Sequence, residues 1–126
     1  MNLGNYNIVK LTEVLYRAME GISANLFISE RPKVADKMKD FIVVSFPNRV
    51  YDNIGTGNTN CVIELHVRNT AKGPNMPRLS ALQEAIYARL PIDDDICTIH
   101  KPVSVSAGAD DVGFHAILIY CKVRIK

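Results

Sequence analysis

The 126-residue sequence has no tryptophan, and phenylalanine, tyrosine and tryptophan together make up only 7% of it. We therefore expect a core built mainly from aliphatic side chains. No stretch approaches the roughly 18 apolar residues of a membrane-spanning helix, and the first residues contain no basic segment followed by an apolar run. These absences predict a soluble protein that folds inside a cell and has no membrane partner.

Charge is nearly balanced, with 15 lysine and arginine residues against 13 aspartate and glutamate residues and a formal net charge of +2. A non-specific nucleic-acid binder usually carries a larger and more clustered basic excess, so the composition argues against that class. The three cysteines, Cys61, Cys97 and Cys121, are odd in number and are not closely spaced. They are expected to be reduced thiols in the core.

Patterns that bind metals or support catalysis are missing. The histidines show no C-x-x-C, H-x-x-x-H or H-E-x-x-H spacing, and the acidic run at residues 93–95 lacks the spaced ligands of a calcium loop. Cys97 and His100 are three residues apart, which places them on opposite faces of a strand. Glu64 and His66 are two apart and could form a proton-transfer pair, although such pairs more often belong to a polar sheet face. The sequence predicts no catalytic residue, no metal site and no cofactor.

Periodicity divides the chain into two helices and several strands. Apolar residues at three- and four-residue steps predict helices at residues 8–20 and 79–90, and β-rich runs predict strands at residues 24–29, 41–46, 60–68, 96–106 and 113–126. The loop at residues 53–58 reads as a hairpin connection, and residues 30–39 read as a polar connection. Pro102 predicts an edge position or a bulge, with Ile99 and Val103 on one face. The expected fold is one α+β domain, residues 1–126, with a single mostly antiparallel sheet and both helices packed largely on one face.

The C-terminal strand is the longest run rich in β-branched and aromatic residues. One alternate set of its side chains is apolar along nearly its whole length. The other set is apolar in its first half and cationic in its second half, and it consists of Phe114, Ala116, Leu118, Tyr120, Lys122, Arg124 and Lys126. A strand that is apolar on both faces has more apolar surface than one helix layer can cover. A homo-oligomer would bury this surface and the open edges of the sheet.

The order of these elements resembles that of a known family. An N-terminal amphipathic helix is followed by the strand at residues 41–46, a glycine-containing loop and the segment I-E-L-H-V-R at residues 63–68. A helix of the type L-x-x-L-x-x-x-I-x-x-x-L at residues 79–90 and a closing hairpin ending in H-A-I-L-I-Y-C-K-V-R-I at residues 115–125 complete it. This layout, over residues 8–125, is similar to that of the tail-terminator or tail-completion proteins of long-tailed bacteriophages, also called neck or head–tail joining proteins.

The resemblance implies a non-enzymatic structural protein that forms a homo-oligomeric ring, usually six-fold, at the tail end of a phage or prophage virion. Its partners would be the tail-tube and head-connector proteins, with DNA passing through the lumen without sequence-specific binding. The protein would reside in the tail or neck of the virion after assembly in the host cytoplasm. The expected subunit interface consists of Phe114, Ala116, Leu118 and Tyr120. The expected lumen-facing or partner-facing residues are Glu64, His66, Arg68, Lys122 and Arg124.

Another class of protein fits the same pattern of helices and strands. An oligomeric ligand-binding or regulatory domain of ferredoxin-like type would hold a pocket between its sheet and helices. Some of His66, His100 and Tyr87 are expected to line such a pocket. A ligand that raises the melting temperature would favour this alternative.

Overall fold

The computed structural model describes residues 7–33, 38–48, 50–53, 56–110 and 112–126. The predicted polar connection and the predicted hairpin loop therefore lie partly outside the described residues. The fold is α+β, as predicted, and its elements follow one another along the chain. They are α1 (Ile8–Met19), β1 (Leu26–Ile28), β2 (Asp40–Ser45), β3 (Tyr51–Asn53), β4 (Thr56–Arg68), α2 (Met76–Ala88), β5 (Ile92–Asp93), β6 (Cys97–Ala109) and β7 (Phe114–Ile125).

Both helices begin where an asparagine caps the first turn. The side chain of Asn7 accepts a hydrogen bond from the backbone N–H of Val9 at 2.9 Å in α1, and Asn75 accepts one from the N–H of Arg78 at 3.3 Å in α2. Such caps satisfy backbone donors that have no partner within the helix. Gly21 follows the end of α1 with a φ of 86°, a conformation that glycine adopts without strain.

The described residues form a seven-stranded sheet, in which six strands follow the order β1-β2-β4-β7-β6-β5 and the short strand β3 pairs with β4. β7 is central, since it pairs along its length with β4 on one side and with β6 on the other. β1 runs parallel to β2, and the other described pairings are antiparallel. The sheet is therefore mixed, which corrects the prediction of a mostly antiparallel sheet.

The prediction that both helices pack largely on one face of the sheet is only partly confirmed. The sheet is curled, and α1 lies against β1 and β2, whereas α2 lies against β4. The helices consequently do not form one clear layer. Their buried side chains nevertheless join a single large apolar cluster with the sheet, to which the helices contribute Leu11, Leu15, Met19, Leu79, Leu82 and Ile86.

The strand register defines two faces of the sheet, because paired residues on neighbouring strands point to the same side. The core face carries Ile42, Ile63 and Ile119, which are fully buried in the large cluster. We call the opposite side the outer face, and Phe41 and Leu118 lie on it. The outer face contains a second, small apolar cluster in which Phe41, Val43 and Phe114 are buried.

Candidate interaction surface

The outer face changes character along β7. Its β7 residues are buried at the first end of the strand and exposed at the second, with a half-buried residue between. In chain order they are Phe114 and Ala116, both buried; Leu118, half-buried; and Tyr120, Lys122 and Arg124, all exposed. Three regions follow from this gradient, which we call the aromatic end, the apolar patch and the cationic end.

The aromatic end is a packed cluster around His66. The ring of His66 stacks on Phe41 with centroids 4.4 Å apart and an interplanar angle of 9°. Phe41 in turn contacts Phe114, at 5.4 Å between centroids, and Phe27, at 6.3 Å. His66 is fully buried. The sequence favoured a polar sheet face for Glu64 and His66, but Phe41 from the neighbouring strand covers the imidazole.

Glu64 contacts both the buried His66 and the exposed Arg31. Its Oε1 lies 3.0 Å from Nε2 of His66 and accepts a hydrogen bond from Nε of Arg31 at 3.1 Å. The hydrogen bond with His66, followed by that with Arg31, lowers the pKa of Glu64 below its usual range, although partial burial opposes the shift. The predicted pairing of Glu64 with His66 is thus present. Nδ1 of His66 is buried and has no hydrogen-bond partner among the described residues, so no described group extends the pair into a relay.

Arg68 is also engaged within the fold. Its Nε donates to the backbone carbonyl of Met38 at 2.9 Å, and its guanidinium lies 4.7 Å from the centroid of the Phe114 ring. An arginine over an aromatic face is attracted by the ring quadrupole. The structure therefore places Glu64, His66 and Arg68 in contacts with their own chain, while Lys122 and Arg124 extend from the exposed end of β7.

The apolar patch occupies the middle of the outer face and consists of Val103, Val105, Leu118 and Tyr120. In the register of β6 and β7, Val103 lies opposite Tyr120 and Val105 lies opposite Leu118. Val103 is 60% exposed, Val105 47% and Tyr120 43%. Leu118 and Tyr120 were predicted for an interface, but Val103 and Val105 were not. Phe114 and Ala116, which were predicted with them, are buried within this chain and support the sheet beneath.

A bulge explains why the two valines were missed. The register of β6 shifts between His100 and Val103, as Pro102 suggested. An extra residue reverses the alternation of the side chains that follow it, here as far as the second register shift between Ser106 and Gly108. Ile99 lies opposite Val123 on the core face, whereas Val103 lies on the outer face. The prediction that Ile99 and Val103 share a face was therefore wrong.

The cationic end lies beyond the apolar patch. It is a shallow depression of about 360 Å³ lined by residues of β4, β6 and β7. The lining residues are Asn58, Thr59, Asn60, His100, Lys101, Lys122, Val123 and Arg124. This set contains hydrogen-bond donors and positive charges, and it contains no carboxylate.

The described residues show no cluster suited to metal binding, since no three histidine, cysteine, aspartate or glutamate side chains converge among them. All three cysteines are free and buried, as predicted. The contact with Cys121 and burial raise the pKa of the Cys61 thiol, and burial raises that of Cys97 to about 11. A protonated thiol is a poor nucleophile. Cys97 lies on the core face and His100 on the outer face, so they do not form a pair.

The residues expected to line a ligand pocket do not meet. Tyr87 bonds with its hydroxyl to Ser104 at 2.6 Å, and Ser104 lies opposite the core-face residue Ile119. His66 and His100 lie on the outer face, opposite Ala116 and Lys122. The two histidines therefore lie on the side of the sheet opposite Tyr87.

Within the described part of the chain, neither helix has the length and apolar character needed to cross a membrane. No model of a known protein family matches the chain, and no curated protein matches it. The fold is similar to that of a chain in a solved structure, the "Virion of native gene transfer agent (GTA) particle". The TM-score is 0.66 at 12% sequence identity, and the match covers 95% of this chain and 98% of that chain. At this identity the similarity establishes a shared fold, which does not by itself assign a function.

Proposed function

We propose that this chain is a non-enzymatic structural protein of a phage-like virion, which forms an oligomeric ring at the tail end and joins the tail to the head. Two observations support the proposal. The order of helices and strands resembles that of tail-terminator proteins. The fold is similar to a chain of a gene transfer agent virion over nearly the full length of both chains. The proposal places the protein in the virion, after assembly in the host cytoplasm.

The observation that carries the proposal is the apolar patch. Tyr120 and Val103 are large apolar residues on adjacent strands, and they are exposed in the middle of a sheet face. Contiguous exposed apolar surface in a soluble protein usually marks an interaction site. In the proposal the patch packs against a neighbouring subunit, and the buried residues Phe114 and Ala116 hold β7 in place beneath that contact.

In the proposed ring, the cationic end forms part of the lumen surface. Lys122 and Arg124 would face the lumen, where DNA passes without sequence-specific contacts, because their side chains are exposed. Glu64, His66 and Arg68 were expected in the same role. In the proposal they act indirectly, since their polar groups bind within the chain and shape the neighbouring surface. The ends of the ring would contact the tail-tube and head-connector proteins.

The test is the native mass of the purified protein, measured by light scattering or native mass spectrometry over a range of concentrations and imaged by negative stain. We expect closed rings of the wild type and monomers of Leu118→Lys and Tyr120→Lys, because a charge within the patch opposes its burial. Val112→Lys is the matched control, since Val112 is an exposed apolar residue in a turn outside the patch. It should assemble normally.

Two results would count against the proposal. If both patch variants assemble as the wild type does while remaining folded, the patch is not the subunit contact. If the wild type stays monomeric at all concentrations and also in the presence of tail tubes, the ring itself is not supported. Thermal unfolding of each variant separates a loss of assembly from a loss of fold.

A further inference from the structure

The cationic end concentrates positive charge that the described fold leaves without counter-charges. Lys101, Lys122 and Arg124 are exposed, and none of them forms an ion pair with a described carboxylate. Two other cations are paired: Arg31 pairs with Glu64, and Lys126, the residue that follows β7 in the same alternate set of side chains, pairs with Asp93. What distinguishes the cationic end is that three cations without a described ion pair line one depression.

Strand alternation places two of these charges on one face of the sheet. Lys122 lies directly between Asn60 on β4 and His100 on β6, and Arg124 is two residues further along the same face of β7. Neighbouring strands are about 4.8 Å apart, and alternate residues of one strand are about 6.8 Å apart. Two like charges at about this separation repel each other weakly in water. The arrangement therefore opposes folding slightly unless an anion occupies it.

Lys101 adds a second, independent observation. Its φ is 53°, in the left-handed region that non-glycine residues seldom adopt. It also precedes Pro102, and a residue before proline normally prefers an extended conformation. Backbone outliers of this kind persist where the surrounding structure imposes them, and they occur often at binding sites. Here the outlier lies at the bulge of β6 and brings Lys101 to the edge of the depression.

From this geometry we propose that the cationic end is a binding site for a phosphate group. Lysine and arginine supply charge-assisted hydrogen bonds to phosphate oxygens, and the amide of Asn60 and the ring of His100 can supply neutral ones. The ligand chemistry is a phosphate dianion or a phosphodiester, supplied either by a free phosphorylated molecule or by a nucleic-acid backbone. With a nucleic-acid backbone as the ligand, this inference rests on the lumen role proposed above for Lys122 and Arg124. With a free phosphorylated molecule it stands apart from the ring, since all lining residues belong to one chain.

The first experiment is a titration of the ¹⁵N-labelled protein with inorganic phosphate, followed by NMR at constant ionic strength maintained with sodium chloride. Constant ionic strength keeps general screening of surface charge unchanged. We expect saturable shifts confined to the amides of residues 58–60, 100–101 and 122–124. The absence of saturable shifts with both phosphate and pyrophosphate would overturn the proposal.

The matched variants remove equal charge from different places. In Lys122→Gln/Arg124→Gln two cations leave the site, and in Lys10→Gln/Lys72→Gln two exposed cations leave other surfaces. We expect the dissociation constant for phosphate to rise at least about tenfold in the site variant and less than about twofold in the control, because charge-assisted contacts act only at short range. Equal weakening in both variants would show a general charge effect and would overturn the site.

A second arm separates the two sources of phosphate. If the natural ligand is a nucleic-acid backbone, a short DNA duplex should bind, and the site variant should reduce the slope of log affinity against log salt by about 2, since two phosphate contacts are lost. If the ligand is a free phosphorylated molecule, phosphate or pyrophosphate should bind while duplex binding is the same in both variants. Failure of the ring would leave either result intact, because Leu118→Lys and the site variant alter different residues.

Discussion

The two ends of the outer face are built on the same strands, yet they use charged residues differently. At the aromatic end, Glu64, His66 and Arg68 each contact a group of their own chain. At the cationic end, Lys122 and Arg124 lie at equivalent alternate positions of β7 without a described ion-pair partner. Buried polar groups that are mostly paired belong to the packing of the fold. Exposed like charges that share one depression indicate a surface that binds a ligand or partner of opposite charge.

The largest effect should come from breaking the aromatic end. Phe41→Ala removes the ring that covers His66 and contacts Phe27 and Phe114, and it should lower the free energy of unfolding by about 3–5 kcal/mol. Tyr120→Ala is the comparison at the exposed patch and should change that free energy by less than about 1 kcal/mol. Urea denaturation of the monomer measures both. Similar losses in the two variants would contradict the division of the outer face into a packed end and a free patch.

A second pair of variants tests where the outer face continues in β6. Ile99 is fully buried on the core face, whereas Val103 is mostly exposed beyond the bulge. Ile99→Thr should lower the free energy of unfolding by about 2 kcal/mol or more, because it removes buried apolar atoms and adds a hydroxyl. Val103→Thr should change it by no more than about 0.5 kcal/mol. Equal effects in denaturant unfolding would indicate that Ile99 and Val103 lie on the same face, as simple alternation predicts.

Ile99 and Val103 also show which part of the fold could not be predicted from local sequence. The stripe of α1, the helix around Leu82 and the strands β4 and β7 follow from local periodicity, since each face is set by residues close in the chain. Pro102 indicated a bulge. Which residues of β6 face each side of the sheet after that bulge depends on how β6 aligns with β7. A proline and a lysine in sequence do not determine which residue is left unpaired. The apolar patch was therefore only half predicted.

The remaining differences are consequences of tertiary contacts. A three-residue strand such as β1 carries no pattern that fixes its direction, so its parallel pairing with β2 could not be predicted. His66 alternates with apolar residues in β4 and was expected on a polar face of the sheet. Its burial depends on Phe41, which reaches it only because β2 lies beside β4. The strand order, rather than the sequence around His66, decides the environment of this residue.

Glu64→Gln tests the paired charges at the aromatic end with a smaller expected effect. Because the folded-state pKa of Glu64 is lowered, its ionised form stabilises the fold above the unfolded-state pKa of about 4.3. That contribution is lost as pH falls through the lower, folded-state pKa. The variant should reduce the free energy of unfolding at pH 7 by about 1–2 kcal/mol and flatten its decline in acid. Unfolding curves from pH 7 to pH 2 measure this, and an unchanged acid limb would show that the pair with His66 does not contribute.

The smallest expected effect is an increase in the free energy of unfolding, and it distinguishes the cationic end most directly from the aromatic end. Lys122→Gln removes one of the neighbouring positive charges of the cationic end, so it should raise the free energy of unfolding at low salt by less than about 1 kcal/mol. Arg31→Gln, which breaks a pair with Glu64, should lower it. The gain from Lys122→Gln should disappear at about 1 M salt, where the Debye length is about 3 Å. It should also disappear in saturating phosphate, because a ligand bound to the native wild type offsets the repulsion. If Lys122→Gln destabilises the protein at low salt without phosphate, then Lys122 already has a partner within the fold, and the two ends of the outer face are alike.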